Sequence, residues 1–351
     1  MSDHIRKAFA GANTGDGFIS FYDLLFREEE LSSLYIIKGG PGTGKSSFIK
    51  RFGDIASSKG YFCEYFLCGS DPGSFDGILV SNGVKKIGII DGTPPHPKEL
   101  KSPGAAGEIL NFGKFWSGEA LRNIRGDIDR INKEKHTAFE TAYRYLGAAN
   151  KIDRHITHVL QDIYLHDKAY RVAEKLVLSA GVSGELLFRQ LKSYTMKGLV
   201  DLIPSDSVSQ EIFLSGNDEI GKLFLGDIIL AAQKNHMSAL VSRSPIDFSK
   251  ADSVYFPESK VYIHIGESED PNRKSVNMRR FIDSNVMKQH RQKIKFGKKC
   301  RGSLIKGAID SLATASEHHF KLESLYSEYM DYKSLTEQSS IWYGDILSTL
   351  D

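Results

Sequence analysis

The sequence predicts an α/β fold: a three-layer domain with a mainly parallel sheet, duplicated in tandem, with helical extensions after each copy. Three observations carry this expectation. An apolar run, Leu34-Tyr35-Ile36-Ile37, leads into the glycine-rich stretch GGPGTGKSS at Gly39 to Ser47 and then into helical periodicity. A second apolar run, Ile212-Phe213-Leu214-Ser215, leads into GNDEIGKLF, whose glycine-to-lysine spacing repeats the first 177 positions later. The stretches after each unit place apolar residues at i, i+3, i+4 and i+7, the signature of an amphipathic helix.

A chain of 351 residues suits two domains of ordinary size. Its 40% hydrophobic and 26% charged residues fit a globular protein, and a net charge of +2 favours neither acidic nor basic partners. Three cysteines, Cys63, Cys68 and Cys300, are too few and too irregular for a disulfide framework, and none forms a metal-type C-x-x-C pair. The opening Met1-Ser2-Asp3-His4 is polar with no apolar core behind it. No apolar run reaches the roughly 18 residues of a membrane helix. A soluble, cytoplasmic chain without a membrane segment is expected, its oligomeric state left open.

Taken in order, Phe9 to Phe18 forms a loop with a role in the fold. The first strand ends at Gly39. Gly39, Gly40, Gly42 and Gly44, with Pro41 and Thr43 between them, let the backbone curl so that its N–H groups face an anion. Lys45 then reaches the β- and γ-phosphates, the Ser46 hydroxyl can ligate Mg²⁺, and Ser47 completes the loop. Phe48, Ile49, Phe52, Ile55 and Ala56 recur at helical spacing up to a stop at Gly60. The helix aims its positive end at the same phosphates. The pattern predicts binding of a nucleoside triphosphate with Mg²⁺, the base being left open.

Tyr61 to Leu67 reads as a second strand, followed by a loop containing Asp71 and Asp76. Both acids are candidates for binding an acceptor or orienting water, and both also suit a turn. Lys86 to Asp91 is a third apolar strand with its carboxylate at the carboxyl end, where such sheets bind ligands. Asp91 is therefore the second Mg²⁺ partner. Gly92 stands where many ATPases carry a water-polarising glutamate, which leaves that group unidentified. Thr93 or His96 could contact the γ-phosphate, or Gly92 to His96 could be a proline-punctuated turn. The catalytic candidates are Lys45, Asp91 and Asp71.

Residues 105 to 178, and again from Asn277 onward, read as helix, with Leu121, Ile124, Ile128 and Ile131, then Ile156, Val159, Leu160 and Ile163, on apolar faces. They predict either an all-helical subdomain or an antiparallel pair. The expected divisions are 1–104, 105–178, 179–270 and 271–351.

The duplication rests on further echoes. Thr14 to Phe18 matches Thr195 to Leu199, and Pro72 and Phe75 match Pro245 and Phe248. Asn111, Phe115, Arg125 and Ile128 match Asn277, Phe281, Arg291 and Ile294. His136, Glu140 and Tyr143 match His319, Glu323 and Tyr326, on faces that could meet as a metal site or as ordinary helix contacts. In the second copy Leu223 replaces the metal-binding serine, Asp218 and Glu219 would repel a triphosphate, and the strand Val261 to Ile265 ends without an aspartate. A pseudo-site that packs on, covers or regulates the first is expected.

Between Pro271 and Lys306 lie twelve Lys or Arg and a single acid, Asp283. They include Arg279, Arg280, Lys288, Arg291, Lys293, Lys295, Lys298, Lys299 and Arg301. This stretch is a solvated helix face, a nucleic-acid contact or a source of arginine for the first triphosphate site.

These residues place the chain's first unit in resemblance to the P-loop NTPase superfamily. Through F-A-G-A-N-T near Phe9, G-S-D-P-G-S-F-D-G and D-G-T-P-P-H from Asp91 to His96, the whole chain also resembles a family of bacterial ATP-binding proteins with two tandem P-loop halves. The resemblance implies an ATPase or ATP-binding protein, some members being labelled nucleotide kinases, with no established substrate. The leading expectation is a slow Mg²⁺-dependent ATPase acting as a nucleotide switch between halves. A kinase with its acceptor near Asp71 and an ATP-gated nucleic-acid-binding module are the alternatives.

Overall fold

A computed structural model describes residues 5–205 and 208–350. The first half contains β1 (Ile5–Phe9), a hairpin of β2 (Gly11–Thr14) and β3 (Gly17–Ser20), α1 (Tyr22–Leu25), β4 (Ser33–Lys38), α2 (Lys45–Ser58), β5 (Phe62–Leu67), β6 (Phe75–Ser81), β7 (Lys86–Asp91), β8 (Gly107–Asn111), α3 (Gly118–Asn123), α4 (Arg125–Gln161) and α5 (His166–Ala180). The second contains β9 (Leu186–Phe188), a hairpin of β10 (Lys192–Thr195) and β11 (Gly198–Asp201), β12 (Gln210–Ser215), α6 (Asp218–Lys234), β13 (Ala239–Arg243), β14 (Ala251–Phe256), β15 (Val261–Ile265), β16 (Lys274–Asn277), α7 (Ser284–Ser327) and α8 (Tyr332–Ser348).

The halves build two six-stranded sheets, ordered β1-β5-β6-β7-β4-β8 and β9-β13-β14-β15-β12-β16. In each, the third strand runs antiparallel to both neighbours and the other pairings are parallel. Even a register irregularity recurs, between Phe66 and Leu67 in β5 and between Ser242 and Arg243 in β13. The sheets run past the expected divisions at 104 and 270, because β8 and β16 complete them as edge strands beside β4 and β12.

Beyond Asn111 and Asn277 the halves stay in step without an insertion. Gly118 and Ser284 open the helices, Gln161 and Ser327 close them, and His166 and Tyr332 open the last ones, each pair 166 positions apart. The echo of Thr14 in Thr195 is structural: each hydroxyl donates across its own hairpin, to Gly17 and Gly198 carbonyls. Two other echoes are out of register. Cys68–Ser74 and Ser244–Lys250 share the same backbone hydrogen bonds, so Phe75 corresponds to Ala251, not Phe248, and Asp71 to Asp247. His136 corresponds to Gly302, not His319. Amphipathic helices look alike at many offsets, which accounts for the resemblance of His136 to His319, whereas Phe75 opens a strand and Phe248 sits in a turn.

The long helices realise the antiparallel pair. Ala142, Leu146 and Ala149 of α4 pack with Ala308 and Leu312 of α7, small side chains that let the axes approach. The terminal helix of each half then crosses to the other half. On the first sheet, α8 buries Tyr343 against Phe48 of α2, ring centroids 4.6 Å apart, and Trp342 on Phe112 at 5.6 Å. On the second, α5 supplies Ala169, Ala173 and Val177 to the core around Phe224 and Ile228 of α6. The three-layer expectation is met on one face only. The opposite face of the first sheet is covered by its hairpin, by α1 and by the other half, where Phe21 stacks on Phe248 at 5.4 Å.

Candidate functional site

β4 carries four buried residues, Leu34 to Ile37, to the loop at the carboxyl end of its sheet. Gly42 and Gly44 take φ of 66° and 83°, backbone that glycine adopts freely. The chain thereby reverses so that α2 opens at Lys45, with Ser46 and Ser47 in its first turn. Amides at such a helix start lack helical partners and carry partial positive charge. The buried Thr43 hydroxyl donates to the Gly40 carbonyl at 2.9 Å and holds the loop around Pro41. Lys45 Nζ donates to the Gly40 and Gly39 carbonyls at 2.6 and 3.2 Å and lies 3.5 Å from Asp91 Oδ2. Ser46 Oγ accepts from the Phe75 amide at 2.8 Å.

Parallel pairing sets Asp91 opposite Ile37, one strand from the loop. Its Oδ1 accepts from the Thr93 hydroxyl at 2.5 Å and the Thr93 amide at 3.0 Å. Burial pushes the Asp91 carboxyl above the usual carboxylate range, Lys45 pulls against it, and the charge of Asp76 adds to the rise. Asp76 stands at the start of β6, beside Asp91 because that strand runs antiparallel. Asp76 Oδ2 lies 3.2 Å from His96 Nε2, and His96 Nδ1 lies 2.9 Å from Ser20 Oγ. Tyr22 stacks on the His96 ring at 4.4 Å. Thr93 thus hydrogen-bonds Asp91, while His96 lies against Asp76 without making a hydrogen bond to it. Asp71 closes a turn, its Oδ1 accepting from the Gly73 amide at 2.9 Å, so Asp76 is the acid that joins the cluster.

The second half replaces the loop with helix. Asn217 accepts from the Ile220 amide as an N-cap, and α6 opens at Asp218, four residues before Lys222, the counterpart of Lys45. An N-cap followed by two acids is a strong helix start. Lys222 Nζ is paired with Asp153 Oδ2 of α4 at 3.0 Å. Arg301 of α7 bonds Asp153 and, at 2.8 Å, Glu219, which Lys298 also meets at 2.6 Å. Burial alone would raise Glu219, but Lys298 and Arg301 override it and hold the carboxyl below the usual range. The position matching Asp91 is Ile265.

Each loop is covered by the other half's helices. Gly40 faces Tyr326 and Trp116, whose ring atoms would lie 3.0 and 3.2 Å from a Cβ placed there. At Gly42 a Cβ would meet the Glu323 carbonyl oxygen at 2.4 Å. The Gly42 carbonyl accepts from Tyr332 Oη at 2.6 Å and from Ser327 Oγ at 3.4 Å. A hydrogen bond from His319 lowers the Glu323 carboxyl, aided by the Gly42 amide and Lys45. Glu323, Ser327 and Tyr332 lie about three hundred positions from the loop; Glu323 stands out only as part of the His319-Glu323-Tyr326 helix face, and nothing in the local sequence marks Ser327 or Tyr332. The basic stretch reaches the second loop through Lys298 and Arg301 rather than supplying an arginine to the first, because the start of α7 packs through Val286, Met287 and Ile294 into the core of the second half. Lys288, Arg291, Lys293, Lys295 and Lys299 are exposed.

His136 and His319 pair within their own helices, 3.8 Å from Glu140 and 3.5 Å from Glu323. Among the described residues no group of three or more His, Cys, Asp or Glu is placed to hold a metal. No described helix is long and apolar enough to cross a membrane. No protein-family model matches the chain, and neither a curated protein nor a solved structure is significantly similar to it.

Proposed function

We propose that the chain is an ATPase of the P-loop type, binding ATP with Mg²⁺ at Gly39 to Ser47 and Asp91 and passing its nucleotide state between the halves. One observation carries the reading: the loop with two left-handed glycines opens α2 at Lys45, whose ammonium lies 3.5 Å from the partly buried Asp91 carboxylate on the next parallel strand. A helix start whose amides face the loop, a cation held there by loop carbonyls and a carboxylate at one sheet edge are what a metal–triphosphate needs.

The donors fit Mg²⁺, which takes hard oxygens and keeps much of its coordination for phosphate and water. Ser46 Oγ and Asp91 Oδ2 would hold it, directly or through water, and its charge would neutralise the β- and γ-oxygens. Lys45 leaves the loop carbonyls to meet those oxygens. The loop amides take the remaining charge. Asp76, 3.2 Å from His96 and beside Asp91, is the acid placed to orient an attacking water where Gly92 stands in place of a glutamate. The contacts from Ser327 and Tyr332 to Gly42 tie the loop directly to the second half, so a change in the loop is felt there.

The test is Mg²⁺-dependent ADP release from ATP, with nucleotide stoichiometry, for wild type and Lys45→Ala. Turnover reduced about 10²–10³-fold in the variant, with one nucleotide per chain in wild type, is expected. Absence of ATP binding by wild type, or turnover indifferent to Lys45, overturns the reading. Tight binding without turnover would transfer it to the kinase alternative.

A further inference from the structure

We propose that Lys135 of α4 is a further ligand of the triphosphate bound at the Gly39–Ser46 loop, bringing a second positive charge to its terminal phosphate from outside the loop. The proposal rests on the nucleotide reading above. Its starting point is the correspondence of the two halves at an offset of 166, which makes Lys135 the counterpart of Arg301. Arg301 reaches across the helix pair to the second loop, where it bonds Asp153 and Glu219. The counterparts of those acids are His319 and Gly42. The first half therefore keeps the cation and has lost both carboxylates that would neutralise it.

Lys135 lies where this correspondence requires. It is one helical turn beyond Ile131 and two beyond Ile128, on the same face of α4. Those residues pack with Leu322, Trp116 and Tyr326, and the last two touch Gly40. The adjacent Glu134 is 3.3 Å from His318, which sets this stretch of α4 against the end of α7 that covers the loop. Lys135 is half-buried, and among the described residues no acid pairs with it. Burial alone acts on its ammonium and pushes it below the ordinary lysine range. A cation left half-desolvated without a counterion is unfavourable in the free protein and favourable once an anion arrives. Arg301 has its anions built in; Lys135 receives one with the ligand.

A charge directed at the terminal phosphate distinguishes ATP from ADP, whereas a packing role does not. Affinities for MgATP and MgADP are measured for full-length wild type, Lys135→Met, Lys135→Arg and Lys45→Ala. The expected result is a loss of about tenfold for MgATP in Lys135→Met, little change for MgADP, and recovery in Lys135→Arg. Unchanged affinity for both nucleotides in Lys135→Met, or equal losses for both, overturns the proposal while Lys45-dependent binding by wild type leaves the nucleotide reading intact. Failure of wild type to bind either nucleotide removes both.

Discussion

At equivalent positions in the two halves, Lys45 and Lys222 meet different partners. Lys45 bonds two loop carbonyls and approaches Asp91, all groups it can leave. Lys222 is locked to Asp153, a fully buried acid from the other half. Asp91 shows the strain in the first arrangement. Its folded-state pKa lies above the ordinary value because burial outweighs Lys45. The folded chain then binds a proton more tightly than the unfolded one, so this group's contribution is fully present below the unfolded pKa and is lost as pH rises through the folded one. Asp91→Asn, which never ionises, is expected to melt higher than wild type at pH 7 to 8. The gap should close toward pH 4. A variant melting lower than wild type at neutral pH would show that Lys45 overcomes the burial. If the proposed function holds, the same change also removes the metal ligand and abolishes turnover.

The elements that decide the arrangement are α5, α8 and the first turn of α6. Asn217, Asp218 and Glu219 start α6 early, and that local choice turns a loop into helix. The exchange of α5 and α8 is not local at all. Each docks by aromatic or small apolar side chains on the helix of the opposite half, Tyr343 and Trp342 on Phe48 and Phe112 in one case. Tyr343→Ala removes a ring that is 8% exposed. A loss of about 3 kcal/mol in denaturant unfolding is expected, with the slope unchanged if the transition stays cooperative. A loss below about 1 kcal/mol would mean that α8 contributes little to holding the halves together.

For the whole molecule, the exchange means that neither half contains its own cover. The first sheet needs α8, the second needs α5, and α4 needs α7. A fragment of residues 1–181 would carry α5 with no α6 to receive it and an uncovered α2. Because α5 is the counterpart of α8, two such fragments can complete each other. The expected product is a dimer, or insoluble chain, in light scattering after gel filtration. A folded monomer of 1–181 would contradict the exchange as the source of cohesion.

How much of this was legible follows from distance along the chain. The strand, the glycine loop, Lys45 and the apolar strand ending in Asp91 are short contiguous patterns, and steric and hydrogen-bonding rules act on them within a few residues. The sequence therefore determined the α/β elements and the repetition of the loop spacing, and it showed Leu223 where the first copy has Ser46. It paired His136 with His319 because one helical period of 3.6 matches another at many offsets, and Phe75 with Phe248 because a lone Pro-x-x-Phe spacing does not fix the register of a turn. Only the tertiary structure decided which half supplies each cover, that Asp76 rather than Asp71 lies against Asp91, and that Lys298 and Arg301 of the basic stretch are taken up by the second loop. The covers are set by packing between residues from about fifty to three hundred positions apart, and the Asp76–Asp91 approach by an antiparallel strand pairing, choices in which buried area, pairing and charge select the partner and local sequence carries no record of it.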